Sequence, residues 1–395
     1  MLYTKIVDKK KSDYKNMRSG KYITQLKDKD LQYKAFVPEL LPFKIDFNGE
    51  LQQLLSKADL ALGRLDGIAE NLPDVDFFIK MYVRKEATFS SQVEGTQATF
   101  ADLLNAEAKI EGLEKHEDVD EILNYIQAMN YGLERLKTLP ISLRLIKELH
   151  KILLQGVRGE NKDPGEFRRS QNWVGGSSIK KASFVPCPPQ EVISKLDNLE
   201  GFMYKNSQIP VLIKTGLIHA QFENIHPFLD GNGRMGRLLI TFYLCQQEVL
   251  KKPLLYLSAF FKKNRQEYYN RLNAIHEQDD IEGWLKFFLD GIIETSSQAV
   301  ETNKKIIELR KQDLEKILTL GSSSKKATQI FNYLAHTPFL TIKDAEKITG
   351  LKNPNASVLI KKIVGLGILE EKTKKKRNQV FRYQKYVNIF EQEND

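Results

Sequence analysis

Residues 225–237 of this 395-residue sequence read Ile-His-Pro-Phe-Leu-Asp-Gly-Asn-Gly-Arg-Met-Gly-Arg. Their types suit a phosphate site with a base attached. Gly231-Asn232-Gly233 can turn tightly and let a ligand approach the backbone. The apolar run that follows, Met235 to Leu244, has the length of a buried helix. A glycine-rich turn that opens a helix presents free N–H groups and the positive end of the helix dipole, which together favour an anion. Arg234 and Arg237 are three residues apart and share one helix face, where two guanidinium forks suit an oligophosphate. Asp230 is a hard oxygen ligand just ahead of the turn, of the kind a magnesium ion bridging phosphates needs. His226 is the group best able to accept a proton near neutral pH.

Each part alone has an ordinary explanation. A lone Gly-x-Gly is usually only a turn, and a lone histidine is more often a structural hydrogen bonder. Paired arginines are most often a solvated face, and Phe228 belongs to a core under any reading. Within one short stretch, however, the parts supply separate needs of phosphoryl chemistry. The whole motif, His226-Pro-Phe-x-Asp-Gly-Asn-Gly-Arg-x-x-Arg237, resembles the active-site motif of Fic-domain proteins without a departure. The resemblance implies a magnesium-dependent protein adenylyltransferase, which moves AMP from ATP to a hydroxyl side chain (Ser, Thr or Tyr) of a target protein and releases pyrophosphate. It implies His226 as general base and Asp230 as the ligand of a magnesium ion on the α- and β-phosphates. Gly231, Asn232 and Gly233 would form the anion hole, with Met235 and Gly236 beside them in the ATP-binding turn. Arg234 and Arg237 would contact the β- and γ-phosphates.

The elements that must position these residues read as helices. Apolar spacing predicts them over 49–67, 77–89, 99–112, 117–136, 142–154, 192–205 and 211–224, the last running into the motif. The two prolines of 36–43 suggest an extended arm there. After the helix that ends near Phe89, Ser90 and Glu94 are four residues apart on one face, and Gly95 can end the helix. A surface glutamate before a C-cap is the plain explanation. Alongside the motif, Ser90-x-x-x-Glu94-Gly95 resembles the inhibitory-helix motif of the self-inhibited Fic class whose inhibitory helix lies N-terminal to the core. That implies a Glu94 carboxylate paired with Arg237, in the place of the γ-phosphate.

The pattern breaks from Gly159 to Pro189. Gly165-Glu-Phe-Arg168 and Gln171-Asn-Trp-Val-Gly-Gly176 continue a loop, and 178–185 suits a short hairpin. In Fic proteins this region looks like the flap over the active site, where an exposed edge could align an extended target segment; a purely structural loop is the alternative. Past the motif, Tyr268-Tyr269 offers an aromatic for adenine, as the family uses, with Tyr269 preferred. A helix over 281–293 closes the core and a polar one over 296–320 leads away from it.

Beyond the Gly321–Ser324 linker, helices over 327–335, 341–350 and 355–366 precede a hairpin with a basic tip at Lys372, Lys374, Lys375, Lys376 and Arg377, which resembles a winged-helix domain. Residues 322–395 hold fourteen Lys/Arg and seven Asp/Glu, within a net charge of +9 for the chain. The third helix carries only Lys361 and Lys362, with Lys352 before it, and no arginine to read guanine. Docking of a protein target is preferred here, with DNA binding as the alternative.

No run of about 18 apolar residues suggests a membrane span, and the start lacks the apolar segment of a signal peptide. Cys187 and Cys245 stand far apart, with neither a zinc pattern nor a disulfide framework, which fits a reducing cytoplasm. The expected fold is mainly α: a Fic helical core with a small β-hairpin flap and a C-terminal winged helix. The expected division is an N-terminal arm with the inhibitory motif (1–112), the catalytic core (113–295), a connecting helix and linker (296–321) and the winged helix (322–395). The expected partners are ATP, Mg2+ and a target protein, with a homodimer left open. The rival readings are a DNA-binding regulator whose core senses nucleotide, or a relative that removes AMP or transfers another phosphate-linked group.

Overall fold

The computed structural model describes residues 17–26, 32–70, 75–108, 116–205, 208–334, 337–373 and 379–391. The helices are α1 (Gly49–Glu70), α2 (Val75–Val93), α3 (Phe100–Glu107), α4 (Val119–Leu136), α5 (Leu143–Leu153), α6 (Pro189–Tyr204), α7 (Val211–Ile225), α8 (Asn232–Gln246), α9 (Leu257–Lys263), α10 (Arg265–Gln278), α11 (Ile281–Leu318), α12 (Ser324–Tyr333), α13 (Ile342–Thr349), α14 (Asn353–Gly365) and α15 (Gln384–Glu391). Short strands complete it: β1 (Gly20–Gln25), β2 (Tyr33–Pro38), β3 (Phe339–Thr341), β4 (Glu370–Glu371) and β5 (Val380–Arg382).

Local chemistry sets several boundaries. Thr99 and Asp102 make a reciprocal capping box at the start of α3, and Thr341 and Asp344 make another at α13. Ser142 accepts from Leu145 N–H at 3.3 Å to open α5. Gly350, at φ +67°, closes α13 in the left-handed region.

Two compact units form. The first gathers the chain up to Ser56 with Asn130–Gln247 and Asn264–Asp290. Its β1–β2 hairpin pairs antiparallel, with Gly20 opposite Pro38 and Gln25 opposite Tyr33. The hairpin reaches the loop that precedes α6, since Phe36 N–H donates to Val185 O at 2.9 Å. Within that loop the expected hairpin over 178–185 is shorter than its pattern suggested. One antiparallel bridge joins Val174 to Phe184, and a single 3-10 turn spans Ile179–Lys181. The glycine pair Gly175 and Gly176 sits at φ +68° and +69°, which turns the chain before a ladder can extend.

At the centre of this unit, α7 and α8 are buried almost all round, as an apolar helix in a core must be. A Cβ on Gly236 would lie 2.4 Å from Glu223 Oε1 and 3.2 Å from the His219 ring, so α8 approaches α7 closely because that position lacks a side chain. His219 Nε2 meets the Tyr268 hydroxyl at 2.9 Å, and Trp284 Nε1 donates to Gly216 O at 2.9 Å. These bonds lash α10 and the start of α11 to α7.

The second unit gathers Lys57–Met129, Glu248–Lys263 and the chain from Gly291 onward. Its spine is α2. Tyr82 stacks on Tyr256 at 5.1 Å and meets Phe390 edge-on at 6.0 Å. Lys85 Nζ lies 4.8 Å from the Tyr256 ring centre and 5.8 Å from that of Phe390. Glu86 accepts from Tyr125 Oη at 3.1 Å, from Ser258 N–H at 3.1 Å and from Ser258 Oγ.

In the C-terminal part, strands order as β3-β5-β4, both pairs antiparallel, beside α12, α13 and α14. The stretch after β5 forms a further helix, α15, that apolar spacing alone did not reveal. Its Tyr386, Val387 and Phe390 face inward. Tyr383 Oη donates to Asp313 Oδ2 at 2.7 Å, which ties this end to α11. That helix runs unbroken where two helices were expected, because nothing from Glu294 to Ser296 stops it and Thr295 bonds back to Gly291 O at 2.7 Å. Lys352, Lys361 and Lys362 are exposed, as a basic surface requires. Lys374, Lys375, Lys376 and Arg377 lie outside the described residues. No helix among the described residues is long and apolar enough to cross a membrane.

Candidate active site

The site is the turn that joins α7 to α8, residues 226–231, in the first unit. His226 ends α7 with φ +49° and ψ 61°, a left-handed conformation that a residue with a β-carbon adopts only under constraint. Its Nδ1 lies 3.3 Å from Glu223 O. A carbonyl only accepts, so in the neutral ring the proton sits on Nδ1 and the lone pair on Nε2. The side chain is 19% exposed, enough to meet a substrate while held by the loop.

Asp230 and Gly231 open the next helix. Gly231 takes φ +76°, and a Cβ there would lie 3.4 Å from the His150 ring. Met235 N–H donates to Gly231 O at 3.0 Å, the first bond of α8. The N–H groups of Asn232, Gly233 and Arg234 precede that bond and form the helix's anion-seeking end. The Asn232 side chain is taken by the loop: Oδ1 accepts from Phe228 N–H and Nδ2 donates to Phe228 O, both at 2.8 Å. Asn232 therefore has its backbone to offer an anion. Arg234 and Arg237 are 1% and 2% exposed, far from the solvated face that paired arginines usually make.

Asp230 keeps its carboxylate 34% exposed; its Oδ1 accepts from Gly231 N–H at 2.6 Å and lies 4.0 Å from Arg234 Nη2, an ion-pair distance too long for a hydrogen bond. Among the described residues no three His, Cys, Asp or Glu side chains converge into a protein-only metal cage. Magnesium does not need one, since it takes one or two carboxylates and completes its shell with water and phosphate oxygens. A single, part-exposed carboxylate beside a helix N-terminus fits that ion, and Asp230 is the residue that would hold it.

Three residues that motif spacing did not single out complete the loop. His150 stacks face to face on Phe228 with ring centres 3.6 Å apart. Its Nδ1 accepts from Gly165 N–H at 2.8 Å, so Nε2 carries the proton and donates to Asp230 O at 2.9 Å. Burial pushes its pKa down to about 4, which keeps this tautomer neutral. Asn172 Nδ2 donates to Phe228 O at 2.7 Å, and Arg168 is buried against the same loop. A signal for His150 was present, since it falls beside Leu149 on the face of Ile146 and Leu153.

Tyr268 is buried and engaged with His219, whereas Tyr269 is half-buried with the Arg265 guanidinium 5.7 Å from its ring centre. Ser90, Glu94 and Gly95 belong to the second unit. Ser90 is buried on the last turn of α2, and Glu94 is half-buried in the turn that ends it. Gly95 takes φ +101° there, and Thr96 Oγ1 donates to Glu121 Oε2 at 2.9 Å just beyond.

Residues 52–134 match the Fic/DOC family N-terminal model, and residues 140–244 match the Fic/DOC family model. The chain is 32% identical over 224 residues to the Protein adenylyltransferase Fic of Drosophila willistoni, covering 52% of this chain and 40% of that protein. It is equally similar to the protein of that name from Drosophila grimshawi, of which it covers 42%. The chain thus spans less than half the length of these curated relatives. The crystal structure of a Fic family protein from Desulfovibrio desulfuricans G20 shares the fold, with a TM-score of 0.58 over 87% of this chain and 97% of that one at 18% identity. Over residues 52–134 and 140–244, this chain is thus similar to the Fic/DOC family.

Proposed function

We propose that the chain is a protein adenylyltransferase. The target hydroxyl oxygen attacks the α-phosphorus of ATP while Nε2 of His226 takes its proton. The bond to the bridging oxygen breaks and pyrophosphate leaves with that electron pair. The triphosphate lies on the N-terminus of α8, with Arg234 and Arg237 on its outer phosphates and the half-buried Tyr269 against the adenine. Magnesium, when held by Asp230, supplies positive charge to the phosphates. One observation carries this: a histidine whose lone pair is on Nε2 ends α7, and the helix that opens one loop later carries two buried arginines in its first turns. The names of the two Drosophila relatives agree with it.

Incubation with α-labelled ATP, magnesium and cell lysate tests the activity. His226→Ala should lower label transfer by roughly 10²–10⁴-fold while ATP still binds, since the phosphate contacts remain. Undiminished transfer in that variant removes His226 from the role.

Two finer points belong to the same reading. Glu94 restrains the enzyme by competing with the γ-phosphate for Arg237. Residues 322–395 act as a winged helix that docks targets, which the β3-β5-β4 order beside three helices supports. A salt-sensitive retention of DNA by that segment would favour nucleic acid over a protein partner.

A further inference from the structure

Beneath the turn of residues 225–228 lies a guanidinium that the transfer chemistry does not use. Arg168 is 3% exposed. Its Nε donates to His226 O at 2.9 Å, and its Nη2 donates to Ile225 O at 3.2 Å and Cys187 O at 2.5 Å. Its Nη1 reaches Ser170 O at 3.3 Å. Its own backbone N–H donates to Pro227 O at 2.9 Å. One residue thus grips three successive carbonyls, those of Ile225, His226 and Pro227. Asn172 adds Phe228 O at 2.7 Å, with His226 O at 3.4 Å.

This grip is costly to build. Burying a cation is unfavourable unless its donors are satisfied, and burial pulls the Arg168 pKa below the ordinary guanidinium value. Carbonyl dipoles pointing at one guanidinium compensate it, and two of the four, those of Ile225 and His226, come from the turn itself. The conformation they impose is itself disfavoured. His226 is left-handed at φ +49° and also precedes a proline, whose ring pushes its neighbour towards extended backbone. Released from its carbonyl bonds, His226 would relax towards that extended form and carry its imidazole out of its present position.

We propose that Arg168 is the positioning residue of the catalytic base: by holding the carbonyls of Ile225, His226 and Pro227 it keeps His226 in its left-handed turn. The proposal rests on the adenylyl-transfer reading for its kinetic test. Asn172 assists from the neighbouring carbonyl. The alternative is that Arg168 only fills the core, in which case its loss would weaken folding and ATP binding together.

The experiment uses the full chain with Arg168→Lys, Arg168→Gln, His226→Ala and the Arg168→Gln/His226→Ala double variant. Single-turnover label transfer, ATP affinity and thermal midpoint are measured for each. Arg168→Gln should slow transfer roughly 10²-fold at saturating ATP, the scale of a misplaced catalytic group, with ATP affinity within about twofold. Arg168→Lys should recover part of that loss, since one ammonium reaches fewer carbonyls than a fork. The double variant should be no slower than His226→Ala alone, because both changes act through one group.

Unchanged transfer in Arg168→Gln overturns the proposal, as does a loss of ATP affinity that parallels the loss of rate or a double variant slower than His226→Ala. Should Arg168→Gln not fold, Asn172→Ala must show a smaller rate loss with the same unchanged affinity, and a parallel fall in both overturns the proposal. Proton NMR of the His226 ring, assigned with His226→Ala, gives a readout apart from activity. A single sharp resonance in the unaltered chain should split or broaden in Arg168→Gln or Asn172→Ala, and no change refutes the proposal even if no label transfer is ever seen. An absence of transfer in every form would instead overturn the adenylyl-transfer reading.

Discussion

At the scale of single residues, the first unit holds three buried histidines neutral. Burial depresses His150 to about 4, and His219 and His276 to about 3. Each folded pKa lies below the unfolded value of 6.5, so the unfolded chain takes up protons first as pH falls. Their cost is therefore absent above pH 6.5 and grows as pH drops towards 4, by about 1.4 kcal/mol per ring for each step of one in pH. Resistance of the first unit to denaturant should weaken between pH 6.5 and 5, a window in which ordinary carboxylates stay ionised. A flat stability profile there would mean that these rings are not neutral and buried.

Which of these residues could be found in the sequence follows from how far apart their partners lie. His226, Asp230 and the two arginines sit within twelve consecutive residues, so the expectation of a phosphate site could be formed from local spacing. Arg168 and His150 act on carbonyls 58 and 80 positions away. Backbone carbonyls carry no residue identity, so no side-chain pattern advertises that their partners exist. Burial of Arg234 and Arg237 was likewise hidden, because a guanidinium pair on one face is equally compatible with solvent.

At the scale of elements, capping signals were legible and continuity was not. Thr341 and Gly350 mark both ends of α13, while the merger of two expected helices into α11 depends on the absence of a stop signal. The turn that ends α2 is the element with the sharpest consequence. Gly95 reverses the chain at φ +101°, and Gln97 N–H donates to Asp118 Oδ2 at 2.7 Å, so the start of α4 helps to fix where Glu94 stands. If Glu94 restrains the enzyme, Glu94→Gly should raise self-labelling or target labelling on the order of tenfold or more, by removing an anion that competes for Arg237. ATP affinity should change less than rate, and the thermal midpoint should fall only modestly. Equal labelling by variant and parent at saturating ATP, with His226 still essential, would leave Glu94 an ordinary helix-end residue.

At the scale of the whole molecule, both compact units are assembled from separated stretches of chain. This interleaving could not be read from composition, because the linker-like Gly321–Ser324 suggests an appended module. In the second unit, Phe390 of α15 is fully buried and lies 6.0 Å from Tyr82 and 6.4 Å from Phe100 between ring centres. Phe390→Ala should destabilise that unit by about 3–5 kcal/mol, the usual cost of an aromatic cavity. Amide exchange should accelerate in α2 while α7 and α8 keep their protection. Equal acceleration in α7 and α8 would mean that the units do not unfold separately.

The return of α15 also sets an order in time. Tyr82 and Lys85 leave the ribosome about 300 residues before Phe390, an interval of roughly 15–60 s at ordinary synthesis rates. Throughout it, the aromatic face of α2 lacks the ring that covers it in the finished chain. A nascent chain therefore makes His226 and the whole of α8 well before α2 is fully packed. Until then the growing chain leaves one side of Tyr82 uncovered, an apolar patch that a holdase chaperone could bind, and α2 reaches its final packing only when α15 arrives.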